Sequence, residues 1–233
     1  SNKMFEAMGI SYFGPFDGHN IRELVDVFNQ VKDKDEPVIV HVLTDKGKGL
    51  KSAASDPAHS HGISAFDGNG GKKFSDVLGR FLVGKAESDG RITAVTAAMS
   101  IGTGLEEFSK AFPDRFKDVG IAEEHAATYC AALASAGRKP YFAVYSTFLQ
   151  RAFDEVLHDV CIGGYGVTFC IDRAGAVGAD GVTHQGVFDL SYLSMLPNMT
   201  VVCPTDGAEF EAMLEYSVNF GAPLAIRYPR TYA

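Results

Sequence analysis

Short apolar runs alternate with longer amphipathic segments between residues 74 and 228. The runs have the length of buried strands and the segments have the length of helices. The predicted strands are Ile92 to Thr96, Val119 to Ala122, Tyr141 to Tyr145, Val167 to Ile171, Thr200 to Cys203 and Leu224 to Tyr228. The predicted helices are Phe74 to Ser88, Leu105 to Phe112, one that follows Ala122, Ser146 to Val160, Leu190 to Leu196 and Asp206 to Asn219. This alternation predicts an α/β fold with a mostly parallel sheet of about six strands and helices on both faces.

The preceding residues carry a smaller set of elements. A GPFDGHN turn is followed by a helix from Asn20 to Lys32 and a strand from Val38 to Leu43. One helix and one strand cannot bury their own apolar faces, so we expect their core to be completed by further sequence or by another chain. The pattern therefore predicts a partial α/β domain in residues 1–50, a linker or active-site loop in residues 51–73 and a complete domain in residues 74–233.

Composition restricts the class of protein. The hydrophobic content of 46% and the charged content of 21% are typical of a globular chain with a large buried core. A net charge of −8 disfavours nucleic acid or an anionic membrane as a partner. No apolar run reaches the roughly 20 residues of a membrane-spanning helix, and no signal peptide is recognisable. We therefore expect a cytoplasmic protein that does not bind a membrane.

The four cysteines predict no metal or disulfide framework. None of them belongs to a CxxC pair, and all four lie in apolar helix or strand contexts: Cys130, Cys161, Cys170 and Cys203. We expect buried free thiols, as is usual in a reducing compartment.

The junction between the predicted strand Val119 to Ala122 and the next helix carries two carboxylates, Glu123 and Glu124. In a parallel sheet the carboxyl ends of the strands converge at one edge, which is where ligands bind. Taken alone, such carboxylates most often only stabilise the helix, because a negative charge interacts favourably with the positive end of the helix dipole. The next junction places Tyr145, Phe148 and Arg151 at the same edge, which favours a functional site over a helix-terminal charge.

Three strings in this region are more specific: IAEEHA, YSTFLQRAFDEVLHDV and DRAGAVGADGVTHQGVFD. They resemble the 1-deoxy-D-xylulose 5-phosphate synthase family, whose members are thiamine-diphosphate enzymes of the transketolase superfamily. The resemblance covers nearly the whole chain and implies the pyrimidine-binding fold for residues 74–233. It implies the end of the diphosphate-binding domain for residues 1–50, a homodimer, and a role in the biosynthesis of isoprenoids, thiamine and pyridoxal.

The resemblance also implies a role for individual residues. Glu123 matches the glutamate that protonates the pyrimidine of thiamine diphosphate, whereas Glu124 is expected to be only a helix-terminal charge. The remaining cofactor-binding matches are Ile121, Phe148 and Arg151. The catalytic matches are His61, Tyr145, Asp180 and His184, whereas His59 has no counterpart. Arg173 and Arg230 match the positions that bind the phosphate of D-glyceraldehyde 3-phosphate, which the family condenses with pyruvate, releasing CO₂.

Two family features are altered and one is absent. Leu50 stands where the family has a tyrosine, and MSIGTG stands where it has MREGSG. The GDG…N motif that binds Mg²⁺ and the diphosphate does not occur in the 233 residues, so no metal ligand is predicted in this chain. We therefore expect a fragment that is inactive alone, with the Mg²⁺ ligands supplied by a missing N-terminal domain or by a separate subunit.

Other functions remain open at this point. A split transketolase or the β subunit of a 2-oxo-acid dehydrogenase would share the fold, although the DRAG and GADG…THQG strings argue against both. A non-catalytic paralogue that has lost the metal site is the alternative outside enzymes.

Overall fold

The structure is a computed structural model that describes residues 2–60 and 71–233. The chain forms two compact units, one within residues 1–67 and one within residues 68–233. No helix among the described residues is both long enough and apolar enough to span a membrane. The domain boundaries predicted at residues 50 and 73 stay predictions.

The smaller unit contains a two-stranded parallel sheet. Its elements are α1 (Lys3–Ala7), β1 (Ser11–Asp17), α2 (Ile21–Val31), β2 (Val38–Leu43) and α3 (Lys51–Ser55). The prediction of a turn for the GPFDGHN string was wrong over its first four residues, which belong to β1. Gly and Pro within a strand disfavour its prediction from sequence, but pairing with β2 keeps this segment extended, with a register irregularity between Phe13 and Phe16.

Helix α2 begins as predicted, because the Asn20 side chain accepts a hydrogen bond from the backbone N–H of Glu23. The apolar face of this helix, which carries Ile21, Leu24, Val25 and Phe28, is only partly buried. Ile21, Val25 and Phe28 are all at least half exposed, and Val27 is the buried residue of the helix. The small sheet is too narrow to cover this face.

The larger unit contains a six-stranded sheet in which every pair of neighbours is parallel. The strands are β3 (Ile92–Thr96), β4 (Phe116–Asp118), β5 (Lys139–Tyr145), β6 (Thr168–Asp172), β7 (Thr200–Val202) and β8 (Leu224–Arg227), in the order β4-β3-β5-β6-β8-β7. The helices outside the segment after β5 are α4 (Phe74–Ser88), α5 (Glu106–Ala111), α6 (Glu123–Ser135), α9 (Asp189–Leu193) and α10 (Gly207–Phe220). The predicted fold class is confirmed.

The segment between β5 and β6 is helical but irregular. It runs through α7 (Ser146–Leu149), a 3₁₀ turn (Gln150–Ala152), α8 (Phe153–Glu155) and a π-helix (Val156–Cys161). The sequence predicted one continuous helix here, since an apolar period of 3.6 does not distinguish these variants.

Two apolar cores cover the two faces of the sheet. One combines α6 and the Ser146–Cys161 segment with the strand residues Val95, Phe142 and Phe169. The other combines α4, α5 and α10 with the strand residues Ala94, Tyr141 and Ile226. Because successive strand residues point to opposite faces, neighbours such as Tyr141 and Phe142 belong to different cores. The central strands are therefore buried on both sides, as parallel strands usually are.

The predicted strand Val119 to Ala122 was wrong in position, because β4 ends at Asp118. Gly120 has a φ of 74°, which a continuing strand cannot adopt. The Asp118 carboxylate accepts hydrogen bonds from the backbone N–H groups of Gly120 and Ala98. This turn ends the strand, and α6 begins after it at Glu123.

All four cysteines are free, and three of them are buried. The prediction of burial was wrong for Cys203, which is exposed. It follows β7, the edge strand of the sheet, and so lacks a neighbouring strand on one side.

Candidate functional site

The candidate residues of the larger unit lie where the carboxyl ends of its strands meet. Glu123 follows β4, and Tyr145 ends β5 and begins the segment that carries Phe148 and Arg151. Arg173 follows β6, and Arg230 follows β8. Since β5, β6 and β8 are adjacent in the sheet, their ends are neighbours at this edge.

Glu123 is a buried carboxylate at the start of α6. Its side chain is only 2% exposed, and both of its oxygens accept a hydrogen bond from Nη1 of Arg151 at 2.9 Å. Glu124, the next residue, is exposed. A carboxylate offers about four acceptor positions, so Glu123 retains the capacity to bind a further donor.

Aromatic rings pack next to Arg151 in the candidate site. The Arg151 guanidinium lies 5.2 Å from the centre of the Phe148 ring, and Phe148 stacks on Tyr145 with ring centres 5.7 Å apart. His184 contacts Phe148 edge-on at 5.3 Å between ring centres. The planar groups of four predicted site residues are therefore packed together.

Arg173 extends this packing on the other side of Tyr145. Its guanidinium lies 3.9 Å from the centre of the Tyr145 ring, within the range of a cation–π contact. Its Nη1 donates to Asp172 at 2.6 Å and to the backbone oxygen of Gly102 at 2.8 Å. The backbone of Gly102 approaches Tyr145 so closely that an added Cβ would lie 1.7 Å from the phenol oxygen.

Asp180 connects the two arginines that were predicted to bind phosphate. One of its oxygens accepts a hydrogen bond from Arg230 Nη1, and the other lies 3.5 Å from Arg173 Nε. The second contact does not have hydrogen-bond geometry, so Arg173 Nε and Asp180 Oδ2 are buried without a hydrogen-bond partner among the described residues. An unpaired buried donor is a candidate for ligand binding.

Hydrogen bonds within the loop that carries Asp180 and His184 join its two ends and cross its middle. Gly175 and Gly186 exchange two backbone hydrogen bonds at the base. The Gln185 side chain accepts from Val177 N–H and donates to the backbone oxygens of Val177 and Gly181. The loop is therefore ordered by its own residues.

Burial raises the pKa of two side chains described above, Asp172 and Tyr145. Burial raises the pKa of Asp172 to about 6, although the positive charge of Arg173 lowers it. Burial also raises the pKa of the Tyr145 phenol, again opposed by Arg173. Tyr145 therefore stays protonated near neutral pH.

Successive contacts connect seven of the predicted residues into one set, from Glu123 through Arg151, Phe148, Tyr145, Arg173 and Asp180 to Arg230, and His184 joins at Phe148. Ile121 does not join it through any described contact, and its side chain is 79% exposed. His61 lies outside the described residues, so its predicted role stays a prediction.

Sequence reasoning missed Asp172 and Gly102. Asp172 is an acid at the end of an apolar strand, immediately before a predicted ligand-binding arginine, and that position was the available signal. Gly102 lies in the MSIGTG loop and gave no comparable signal. The described residues contain no group of three or more His, Cys, Asp or Glu side chains arranged to hold a metal ion.

Comparison with protein families assigns this arrangement to a known class. Residues 71–233 match the family described as the transketolase pyrimidine-binding domain, and the chain belongs to that family. Residues 1–44 match the family described as 1-deoxy-D-xylulose-5-phosphate synthase. The matches confirm the resemblance that the motifs indicated.

Individual relatives agree with this assignment. Proteins named 1-deoxy-D-xylulose-5-phosphate synthase from Clostridium perfringens and Clostridium tetani are each 54% identical over 97% of the chain. The chain spans 38% of the length of each of them.

Solved structures share the fold. A structure described as a split gene transketolase, inactive beta4 tetramer, is 30% identical over 69% of the chain and 53% of its own, with a TM-score of 0.61. The transketolase of Campylobacter jejuni is 18% identical over 99% of the chain and 48% of its own, with a TM-score of 0.64. The second similarity concerns the fold alone.

Proposed function

We propose that the chain is the pyrimidine-binding part of a transketolase-type transferase that condenses pyruvate with D-glyceraldehyde 3-phosphate and releases CO₂. The product would be 1-deoxy-D-xylulose 5-phosphate. The single observation that carries the proposal is the buried Glu123 carboxylate, which keeps acceptor capacity beside a stack of aromatic rings. The names of the relatives at 54% identity support this reaction rather than a transketolase or dehydrogenase reaction.

The residues at the carboxyl edge fit the pyrimidine of thiamine diphosphate. A buried carboxylate suits a protonated ring nitrogen, and the half-buried Phe148 offers an aromatic surface. When bound, the cofactor supplies the carbanion chemistry that amino-acid side chains lack. Glu123 would hold and return the proton at the pyrimidine nitrogen N1′, which is the contribution of the protein to that chemistry.

Arg151 would hold the Glu123 carboxylate in place. Its Nη1 lies 2.9 Å from both oxygens, which gives this buried carboxylate a charged hydrogen-bond partner. Glu124 is exposed and is not proposed to act. Ile121 would contribute at most an apolar contact, because most of its side chain is exposed.

The second half of the site would bind the aldehyde substrate. Arg173 and Arg230 would bind its phosphate, because a guanidinium can donate two parallel hydrogen bonds to a phosphate group. The Arg173 Nε has no hydrogen-bond partner among the described residues, which suits this role. Tyr145, Asp180 and His184 would position the carbonyl and hydroxyl groups and transfer protons, together with His61.

The remaining parts of the reaction would need sequence beyond the described residues. We propose that Mg²⁺ and the diphosphate bind to a diphosphate-binding domain, of which residues 1–50 would form the end. The exposed apolar residues Ile21, Val25 and Phe28 of α2 support a partner that covers them. Residues 51–73 would connect this domain to the pyrimidine-binding domain, and the complete enzyme would be a cytoplasmic homodimer.

A chimera tests the proposal. The chain replaces the matching segment of the Clostridium perfringens relative, and CO₂ release is measured with pyruvate and D-glyceraldehyde 3-phosphate. Glu123→Gln should lower turnover by about 10²- to 10⁴-fold, the usual contribution of a positioned acid. Glu124→Gln should lower it by less than about tenfold, or about 1.4 kcal/mol. Equal losses, or an inactive parent chimera, would reject the proposal.

A further inference from the structure

The guanidinium of Arg173 is anchored at one end. Its Nη1 uses both hydrogens, one for the Asp172 carboxylate and one for the Gly102 carbonyl. Nε and Nη2 donate no hydrogen bond to the described residues. The edge formed by Nε and Nη2 carries two parallel N–H groups, which is the geometry that binds a phosphate through two oxygens.

Asp172 holds Arg173 at two points. One oxygen of the carboxylate accepts from the backbone N–H of Arg173 at 2.6 Å, and the other accepts from its Nη1 at 2.6 Å. The backbone of Arg173 has a φ of 57°, which is unusual for a residue other than glycine. The side chain of Asp172 is only 2% exposed, so water cannot readily replace it in these contacts.

We propose that Asp172 is a positioning residue for phosphate recognition, which fixes the Arg173 guanidinium against Tyr145 so that its Nε and Nη2, which make no hydrogen bond to the described residues, can bind the ligand. The inference rests on the proposed function in one respect, namely that the ligand is a triose phosphate. Asp172 itself does not touch the phosphate. Its effect passes through the orientation of Arg173. Asp180 lies 3.5 Å from Arg173 Nε without a hydrogen bond, and its hydrogen bond goes to Arg230.

The Asp172 carboxylate could affect anion binding through its charge or through the position it gives Arg173. These two effects predict opposite changes in affinity when Asp172 is replaced. If the carboxylate acted only by its charge, its removal would strengthen anion binding, since a negative charge near the phosphate opposes the ligand. If it acts by position, its removal releases the guanidinium and weakens binding although a negative charge has been lost. Asp189 is the matched comparison, because it is a buried carboxylate that pairs with Arg227 and not with Arg173.

The first readout is the Nε–Hε NMR signal of Arg173 in the 233-residue chain, identified by its loss in Arg173→Lys. The Tyr145 ring at 3.9 Å should shift this signal upfield through its ring current. Asp172→Asn should move the signal towards that of a free arginine, whereas Asp189→Asn should leave it in place. A wild-type signal without a ring-current shift would overturn the proposal without any variant.

The second readout is the affinity for glycerol 3-phosphate, titrated by NMR. Asp172→Asn should weaken binding by about tenfold, the effect of roughly one charge-assisted hydrogen bond. Asp189→Asn, which removes a buried partner of Arg227, controls for general loss of a buried ion pair and should have no effect.

Each outcome has one interpretation. Stronger binding by Asp172→Asn would overturn the proposal. If that variant does not fold, Asp172→Glu keeps the charge and shifts the oxygens by one methylene group, and unchanged binding by it would also overturn the proposal. If the wild-type chain does not bind glycerol 3-phosphate, the phosphate site of the proposed function fails, while the Arg173 signal still decides whether Asp172 positions the side chain.

Discussion

Removal of Arg151 should turn Glu123 from a paired carboxylate into an unpaired buried one. In Arg151→Met the side chain keeps its approximate length and loses its charge. Both Glu123 oxygens then lose their hydrogen bond at 2.9 Å, while the carboxylate remains 2% exposed. The variant therefore isolates the cost of leaving this charge buried without a partner.

The magnitude follows from the two contacts and their exposure. A hydrogen bond to a charged group contributes about 1.5–3 kcal/mol, but Arg151 is 46% exposed and water screens part of that contribution. We expect Arg151→Met to lower the free energy of unfolding by about 2 kcal/mol. Glu123→Gln alone should lower it by about 1 kcal/mol, because the amide oxygen still accepts from Arg151.

The decisive quantity is the change in the free energy of unfolding that Glu123→Gln causes in the Arg151→Met background, and in particular its sign. There the substitution removes an unpaired buried charge, so it should stabilise the protein by about 1 kcal/mol. The coupling energy of the pair is then about 2 kcal/mol. Glu124→Gln is the control, because Glu124 is exposed and should show no coupling beyond about 0.5 kcal/mol.

Urea unfolding at pH 7, followed by circular dichroism, measures these four free energies. The slope with denaturant should be the same in all variants, so that a change in midpoint reports stability. If Glu123→Gln destabilises the protein equally in both backgrounds, Arg151 does not stabilise the buried carboxylate, and the reasoning for its role is wrong.

Three further predictions follow from the same edge. Gly102→Ala should displace Tyr145 and cost about 1–3 kcal/mol in urea unfolding, whereas Gly90→Ala, with no atom near its added Cβ, should be nearly neutral. Burial raises the pKa of Asp172 above its unfolded value, so its native form binds a proton more tightly. As the pH rises from 4 to 6, stability should therefore fall by up to about 3 kcal/mol relative to Asp172→Asn, measured by urea unfolding across this range. The 233-residue chain should bind thiamine diphosphate with Mg²⁺ at millimolar affinity or worse, because stacking and one charged hydrogen bond provide about 2–4 kcal/mol before the cost of immobilising the ligand; micromolar affinity by calorimetry would contradict this.

The sequence was sufficient to predict the fold class and the edge at which the candidate residues lie. Alternation of strands and helices implies a parallel sheet, and a parallel sheet brings Glu123, Tyr145 and Arg173 to one edge even though they are far apart in the chain. That inference requires only the order of the elements, so the displaced position of β4 did not affect it.

The parts that sequence could not predict depend on contacts between distant residues. The role of Asp172 depends on the left-handed backbone of Arg173, which the residue types do not indicate. The closeness of Gly102 to Tyr145 joins two segments about 40 residues apart. Likewise, Ile121 lies in an apolar run, and only the turn at Gly120 leaves its side chain in solvent.

The exposed thiol after β7 gives the protein a natural attachment point for a reporter dye. Burial raises the pKa of the Cys161 thiol to about 11 and shields Cys130 and Cys170 as well, so a maleimide should modify Cys203 first. β7 is two strands from β6, about 10 Å across the sheet. A fluorophore at this position would therefore lie close to the carboxyl edge without substitution of a residue in the candidate site.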